Sequence, residues 1–253
     1  MGDAKLGRQF DPAYQGVAYG DLLDRLSPYR QGGHLLEVGC AVGGFLDAAS
    51  RRGWQALGIE LAEPLARHAR ESRGLDVRQG TVDTVDIEPG SCDVAVLLDV
   101  IEHVIDPKAL LARLGVFVRR GDALLLLTPN VSGLGARCLG PAWEAYGPKD
   151  HARLFNARTL TSICRAAGFD VRRHWTIDVN PLPFLARLCR SARRLLASKP
   201  RAETDGRRAL QARDRLISRI YASRLLRLVR RTFNLLLRPT GLGEKLHVLA
   251  ERR

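Results

Sequence analysis

Short apolar runs alternate with segments whose apolar residues recur at helical spacing over the first 180 residues of the chain. Short runs bounded by Gly, Pro or polar residues are typical of buried strands. They predict strands at 34–38, 54–59, 75–79, 92–98, 122–127 and 169–177. Helical spacing predicts helices at 11–27, 43–52, 62–73, 106–119 and 157–167. Such alternation is characteristic of an α/β protein with a mostly parallel sheet and helices on both faces.

A glycine-rich turn joins the first predicted strand to its helix, and an acidic residue, Glu37, lies at its start. Gly39 and Gly43 permit a tight turn and a close approach of the main chain to a ligand. The helix that follows begins with unpaired N–H groups directed at the same place. Glu60 ends the second apolar run, about 20 residues further on, where such folds hold a ribose. These features predict a cofactor that contains a nucleoside.

The residues of the turn argue against a dinucleotide or a nucleoside triphosphate as the cofactor. Ala41 stands where the dinucleotide fingerprint G-x-G-x-x-G has its second glycine, and no Gly-Lys-Ser/Thr sequence follows to hold a triphosphate. The carboxylate of Glu37 would repel a pyrophosphate but attract an ammonium group. A cofactor with an amino-acid tail is therefore expected.

With these motifs the chain resembles the class I S-adenosylmethionine-dependent methyltransferases, in particular the branch that includes the ubiquinone-biosynthesis O-methyltransferases. The resemblance covers about residues 30–178 and returns at 241–251. Its segments follow in the family's order at 36–43, 58–60, 79–81, 92–107, 128–130, 150–155 and 167–169. Ala41 departs from the family, in which glycine is commonest at this position. The resemblance implies a Rossmann-like sheet of seven strands, the last of which, 245–250, runs antiparallel.

S-adenosylmethionine is the cofactor that the resemblance implies, and it suggests a role for each residue near the turn. Glu37 is expected to bind the amino group and Glu60 the ribose, while Asp83 is a candidate partner of the adenine amino group. The remaining cofactor-binding candidates are Gly39, Cys40, Gly43, Leu61, Thr81, Val82, Leu98 and Asp99. Tyr14 and Tyr19 lie in the predicted N-terminal helix, and we expect them to pack against the domain. The alternative is that they close over the cofactor.

Glu102, His103 and His151 are the candidate catalytic residues. A histidine can act as general base towards a hydroxyl because imidazole titrates near neutral pH. For each of the three, the alternative is a structural role in its loop. Asp99, Glu102 and His103 can also ligate a divalent metal, but no fourth ligand is evident, so the use of a metal stays open.

The chain carries 40 basic and 27 acidic residues, and the imbalance lies in one segment. Residues 181–238 contain 16 Lys or Arg and 3 Asp or Glu, whereas the rest of the chain has 24 of each. We therefore divide the chain into an N-terminal helical segment (1–30), a cofactor-binding domain (31–180), a basic amphipathic helical insert (181–240) and the final strand of the domain (241–253).

The insert combines arginines with apolar residues at helical spacing, as in 182–197 and 208–237. Such helices suit either a lid packed on the domain or an anionic membrane surface or lipid substrate. Nucleic acid is a weaker candidate, because aromatic residues that stack on bases are few.

The five cysteines are scattered and form no C-x-x-C pair, which favours free thiols in a reducing compartment. The chain has neither a secretory signal nor a membrane-spanning run, so we expect a cytoplasmic protein, with peripheral association at the inner membrane face as an option.

The sequence thus predicts a methyltransferase, O-directed, that acts on a hydroxyl of a small-molecule, glycan or lipid-linked acceptor. The absence of Asn-Pro-Pro-Tyr or Asp-Pro-Pro-Tyr after the fourth strand disfavours methylation of nucleobase amino groups. A non-catalytic docking module on the same fold and a nucleic-acid methyltransferase are the alternatives. The acceptor and the oligomeric state stay open.

Overall fold

The computed structural model describes residues 12–146, 151–177 and 240–253. Its helices are α1 (Pro12–Leu26), α2 (Gly44–Arg51), α3 (Glu63–Arg73), α4 (Pro107–Phe117), α5 (Leu134–Leu139) and α6 (Ala157–Ala166). Its strands are β1 (His34–Val38), β2 (Gln55–Glu60), β3 (Asp76–Gln79), β4 (Cys92–Leu98), β5 (Val118–Pro129), β6 (Phe169–Ile177) and β7 (Lys245–Arg252). Every strand and helix that the sequence predicts in this part of the chain is present, with ends displaced by a few residues.

The described strands form one seven-stranded sheet in the order β3-β2-β1-β4-β5-β7-β6. β1 pairs in parallel with both β2 and β4, and the parallel pairs β2–β3 and β4–β5 extend the sheet on either side. The order reverses at β1, because the chain first builds towards β3 and then returns to add β4. The carboxyl ends of β1 and β4 therefore flank a topological switch point, where open α/β sheets bind ligands.

β7 runs antiparallel to its neighbour β6, as the family resemblance implied. The backbone N–H of Arg253, just past the end of β7, donates to the carbonyl of Gly168, just before β6. At the other end, the N–H of Gly243 donates to the hydroxyl of Thr176 at 3.1 Å. The Rossmann-like, mostly parallel sheet is therefore confirmed.

The boundary between α4 and β5 differs from the prediction. We expected the helix to reach 119 and the strand to begin at 122, but the strand already begins at Val118. Its register against β4 shifts between the pairs Cys92–Val118 and Val94–Ala123, and Gly121 within the shift has a φ of +87°. The irregularity carries the polar residues 119–122, which interrupt the continuous apolar run by which a buried strand is predicted from sequence.

The core lies on both faces of the sheet. β4 is buried along almost its whole length, as is typical of a parallel strand covered by helices on both sides. Phe45, Leu46 and Ala49 of α2 and Ala66 and Ala69 of α3 are among the buried apolar side chains of the core.

The chain divides into two compact units. The first comprises 1–128, 157–174 and 247–253, and the second comprises 129–156 and 175–246. In the second unit, the buried Asn130 donates from Nδ2 to the carbonyls of Gly241 and Gly243, at 3.1 and 2.8 Å. The segment after β5 is thereby fastened to the residues that precede β7.

The predicted basic insert, apart from Thr240, lies outside the described residues, and so do residues 1–11 of the N-terminal segment and Asp150. Among the helices that the structure describes, none has the length and apolar composition needed to cross a bilayer. Cys40, Cys92, Cys138 and Cys164 are free thiols, while Cys189 is outside the described part.

Candidate functional site

The turn between β1 and α2 is held in a left-handed conformation. Gly39 and Gly43 have φ values of +71° and +78°, and a methyl group on either would collide with Val100 or Leu75. Ala41, between them, has a φ of +49° although it carries a Cβ. Left-handed backbone is unfavourable for residues other than glycine, so the turn keeps this conformation against a local strain at Ala41.

Glu60, the last residue of β2, fixes this turn. Its Oε2 accepts a hydrogen bond from the N–H of Ala41 at 2.9 Å, and its Oε1 accepts one from the N–H of Ala62 at 2.8 Å. Each carboxylate oxygen has more than one acceptor site, so both can still accept hydrogen bonds from a ligand. The carboxylate is thus positioned by the backbone on two sides.

Glu37 lies in the neighbouring strand β1 and is almost completely buried, at 3% exposure. Its Oε2 has no hydrogen-bond partner. Burial raises the pKa of this carboxyl to about 8, an effect that the backbone N–H of Leu46 opposes and the negative charge of Glu60 strengthens. An unpartnered buried oxygen is costly and is expected where a ligand supplies the missing donor.

A small cleft, part of it open to solvent, lies at this edge of the sheet. It is lined by Tyr19, Glu37, Gly39, Cys40, Ala41, Val42, Gly44, Phe45 and Leu98. Tyr19 of α1 contacts Phe45 edge to face, with ring centroids 5.4 Å apart. Burial and the two carboxylates raise the pKa of the Cys40 thiol, which keeps it neutral.

The candidate adenine-flanking residues follow β3 in a short turn. Val82 is buried, whereas Thr81 and Asp83 are exposed. Arg113 of α4 holds the turn, because its Nε lies 3.4 Å from the carbonyl oxygen of Val82 and 3.6 Å from the Asp83 carboxylate. Leu61, directly after Glu60, is 67% exposed.

The segment after β4 carries Asp99, Glu102 and His103. Asp99 is exposed and has a φ of +55°, and its N–H donates to the carbonyl of Leu127. Glu102 is fully buried, and its Oε2 accepts a hydrogen bond from the Thr128 hydroxyl at 3.0 Å. This contact favours the structural alternative for Glu102. His103 is half-buried at the end of a short 3-10 helix, Ile101–His103.

His151 lies in the second unit, where its Nδ1 is 2.8 Å from the carbonyl oxygen of Ala145. Because a carbonyl only accepts, Nδ1 carries the proton, and Nε2 bears the lone pair when the ring is neutral. In the same unit Trp143 is buried, and its indole donates to Glu244 at 3.1 Å. The geometry therefore gives His151 the tautomer of a base.

The structure brings several predicted cofactor residues to one cleft. Glu37, Gly39, Cys40 and Leu98 line it, and Glu60 adjoins it through its bond to Ala41. The prediction overlooked Phe45, whose only signal was its place at the start of the helix after the glycine turn. Tyr19 also lines the cleft, although ordinary packing was the expectation preferred for it.

Comparison with protein families matches residues 13–174 to a family described as a methyltransferase domain. Among curated proteins, the chain is similar to a ubiquinone biosynthesis O-methyltransferase of Paracidovorax citrulli. The two are 30% identical over 174 residues, which are 63% of this chain and 72% of that protein. A ubiquinone biosynthesis O-methyltransferase of Idiomarina loihiensis is 32% identical over 55% of this chain and 62% of its own length.

Solved structures share the fold at low sequence identity. A SAM-dependent methyltransferase from Archaeoglobus fulgidus superposes with a TM-score of 0.56 and 18% identity over 94% of both chains. Phosphoethanolamine N-methyltransferase 2 of Haemonchus contortus, in complex with S-adenosyl-L-methionine, gives a TM-score of 0.58 and 19% identity over 93% of this chain and 52% of that one.

Proposed function

Because the chain belongs to the methyltransferase-domain family and is an S-adenosylmethionine-dependent enzyme, we propose that it transfers the methyl group to a hydroxyl oxygen of a small-molecule, glycan or lipid-linked acceptor. The curated relatives, at about 30% identity, are named as O-methyltransferases, which supports the choice of oxygen. The main structural support is the cleft that would hold the cofactor. In this cleft Glu37 has an unpartnered oxygen, and Glu60 accepts a hydrogen bond from the adjoining turn.

The cleft fits the chemical groups of the cofactor. The buried oxygen of Glu37 lacks a donor, and the ammonium of the amino-acid tail supplies three. Glu60 is held by two backbone N–H groups and keeps acceptor sites for the two ribose hydroxyls. Leu61, Thr81, Val82 and Asp83 then flank the adenine, and Gly39, Cys40, Gly43, Leu98 and Asp99 shape the cleft around the tail.

When bound, S-adenosylmethionine supplies a methyl group that is bonded to a positively charged sulfur. The rest of the cofactor is a good leaving group because the sulfur becomes a neutral thioether. The protein therefore needs above all to hold the acceptor oxygen in line with the methyl group. A base adds to the rate where the acceptor hydroxyl is weakly acidic. His103 and His151 are the proposed bases, and the lone pair at Nε2 supports this role for His151.

Incubation of the protein with cofactor labelled in its methyl group, together with extracts of lipids, glycans and small metabolites, tests the function. We expect label to move to an acceptor and to stay there under conditions that hydrolyse esters but not ethers. Label found only on nitrogen or carbon would overturn the choice of oxygen. The Glu60→Ala variant is the control, since transfer that persists unchanged in it does not depend on this cleft.

A further inference from the structure

Two carboxylates, Glu37 and Glu60, lie close together where β1 and β2 end, but their surroundings differ. Glu60 receives two backbone N–H groups, one on each oxygen. Glu37 is buried, its Oε2 has no partner, and the N–H of Leu46 is the donor that opposes its neutralisation. The negative charge of Glu60 adds to the cost of a second negative charge at Glu37.

Among the residues that the structure describes, the groups that face Glu37 supply no positive charge. Glu60 of β2 is acidic, the Cys40 thiol in the turn is neutral, and α1 contributes the phenol of Tyr19 to the cleft. From α2 comes the Leu46 N–H, and from β4 comes the apolar Leu98. Among the described residues that line the cleft, none has a basic side chain. Within the described part of the chain, no side chain of the cleft stabilises the ionised form of Glu37, whereas a cationic ligand would.

We propose that binding of the cofactor is coupled to the release of one proton from Glu37. In the free protein the carboxyl is neutral, which makes its burial tolerable. When the ammonium of the amino-acid tail enters, the O–H bond of Glu37 breaks, the proton leaves to solvent, and the carboxylate accepts a hydrogen bond from the ammonium. This inference rests on the proposed function and adds that the cleft selects for a cationic tail.

The degree of coupling follows from the acidity of the free carboxyl. A group with a pKa of about 8 is about nine-tenths protonated at pH 7, so binding should release about 0.9 proton per cofactor. Affinity should accordingly rise about ninefold between pH 6 and pH 7.

Titration calorimetry with S-adenosylhomocysteine in buffers of different ionisation enthalpy measures this release at pH 7. 5′-Methylthioadenosine, which keeps the adenosyl group but lacks the amino-acid tail, is the matched ligand and should release no proton. Glu37→Gln should bind S-adenosylhomocysteine without proton release. Glu60→Gln should bind more weakly and should still release protons, but fewer than the wild type, because Glu37 stays buried while the negative charge of Glu60 that raises its pKa is gone.

The outcomes separate this inference from the proposed function. Binding of S-adenosylhomocysteine without proton release, or equal release with both ligands, overturns the coupling and leaves the methyltransferase assignment in place. Failure of the wild-type protein to bind S-adenosylhomocysteine at all overturns both. The comparison of the two ligands uses the wild-type protein, so it decides the matter even where Glu37→Gln does not fold.

Discussion

The backbone N–H of Ala41 donates a 2.9 Å hydrogen bond to the carboxylate of Glu60, 19 residues further along the chain. The bond joins the turn after β1 to the end of β2, so the position of the carboxylate and the conformation of the turn depend on each other. The turn is left-handed at Ala41, and a charge-assisted hydrogen bond of this kind helps to offset the strain.

Removal of the Glu60 carboxylate should therefore weaken cofactor binding in two ways. Glu60→Ala loses the proposed ribose contacts and also leaves the N–H groups of Ala41 and Ala62 without their acceptor. We expect the affinity for S-adenosylhomocysteine to fall about 100-fold or more, since each of the two hydrogen bonds to the charged carboxylate contributes about 1.5–3 kcal/mol. Calorimetry measures the loss. Glu63→Ala, an exposed carboxylate paired with Arg70, should bind as the wild type does.

Ala41→Gly should stabilise the protein. The left-handed conformation costs an L-residue about 1–2 kcal/mol, and part of this is offset because glycine is more flexible in the unfolded chain. A net gain of up to about 1 kcal/mol raises the Tm by about 2–4 °C in a domain of this size. Ala48→Gly in the middle of α2 makes the same substitution in helical backbone and should lower the Tm. A lower Tm for Ala41→Gly as well would show that no strain exists at the turn.

The free energy of unfolding should depend on pH through Glu37. Its pKa is raised from 4.5 to about 8 in the folded protein, so its contribution is fully present below about pH 4.5 and is lost as pH rises towards 8. The loss is at most ~1.4 kcal/mol per pH unit for one group. Urea unfolding between pH 5 and 8, without ligand, measures it.

Glu37→Gln should remove this component, and the difference in unfolding free energy between wild type and variant should shrink as pH falls. The exposed Glu63→Gln should leave the pH profile unchanged. Parallel profiles for wild type and Glu37→Gln would show that Glu37 titrates in the folded protein as it does in the unfolded chain.

Gly58→Ala should destabilise the site by crowding. A Cβ at this position would lie 2.6 Å from the Cys40 sulfur and 2.9 Å from Leu46 Cδ2, and overpacking of this kind costs about 1–3 kcal/mol. In the double variant Gly58→Ala/Cys40→Ala the smaller side chain makes room, so the two changes should compensate in part. Thermal unfolding of the two single variants and the double variant gives the coupling, and simple additivity would contradict the contact.

Thr128→Val should destabilise the protein through its contact with Glu102. The change removes the hydroxyl that donates to a fully buried carboxylate, so we expect a loss of about 1–3 kcal/mol in stability. Thr128→Ser retains the hydroxyl and should lose less. Equal unfolding free energies for the Val and Ser variants would mean that the hydrogen bond contributes nothing.

The sequence pattern predicted the strands and helices well because a parallel sheet requires continuous apolar runs separated by helical periodicity. Its error at β5 has a local cause, since the register shift before Ala123 interrupts that pattern. The cleft could be placed because Glu37, the glycines and Glu60 lie at or directly after the carboxyl ends of β1 and β2, and these ends meet at one edge of the sheet.

Other features of the site depend on contacts between distant residues. The positive φ of Ala41 has no signature in a single sequence, and the bond between Thr128 and Glu102 joins residues 26 apart. The unpartnered oxygen of Glu37 also emerges only when the neighbouring elements are in place.

A crystal structure of the protein with S-adenosylhomocysteine tests the central claim most directly. The account predicts both ribose hydroxyls within about 3 Å of the Glu60 carboxylate and the amino nitrogen within about 3 Å of Glu37 Oε2. A ligand bound at another place, or bound in this cleft with its amino group directed away from Glu37, would contradict it.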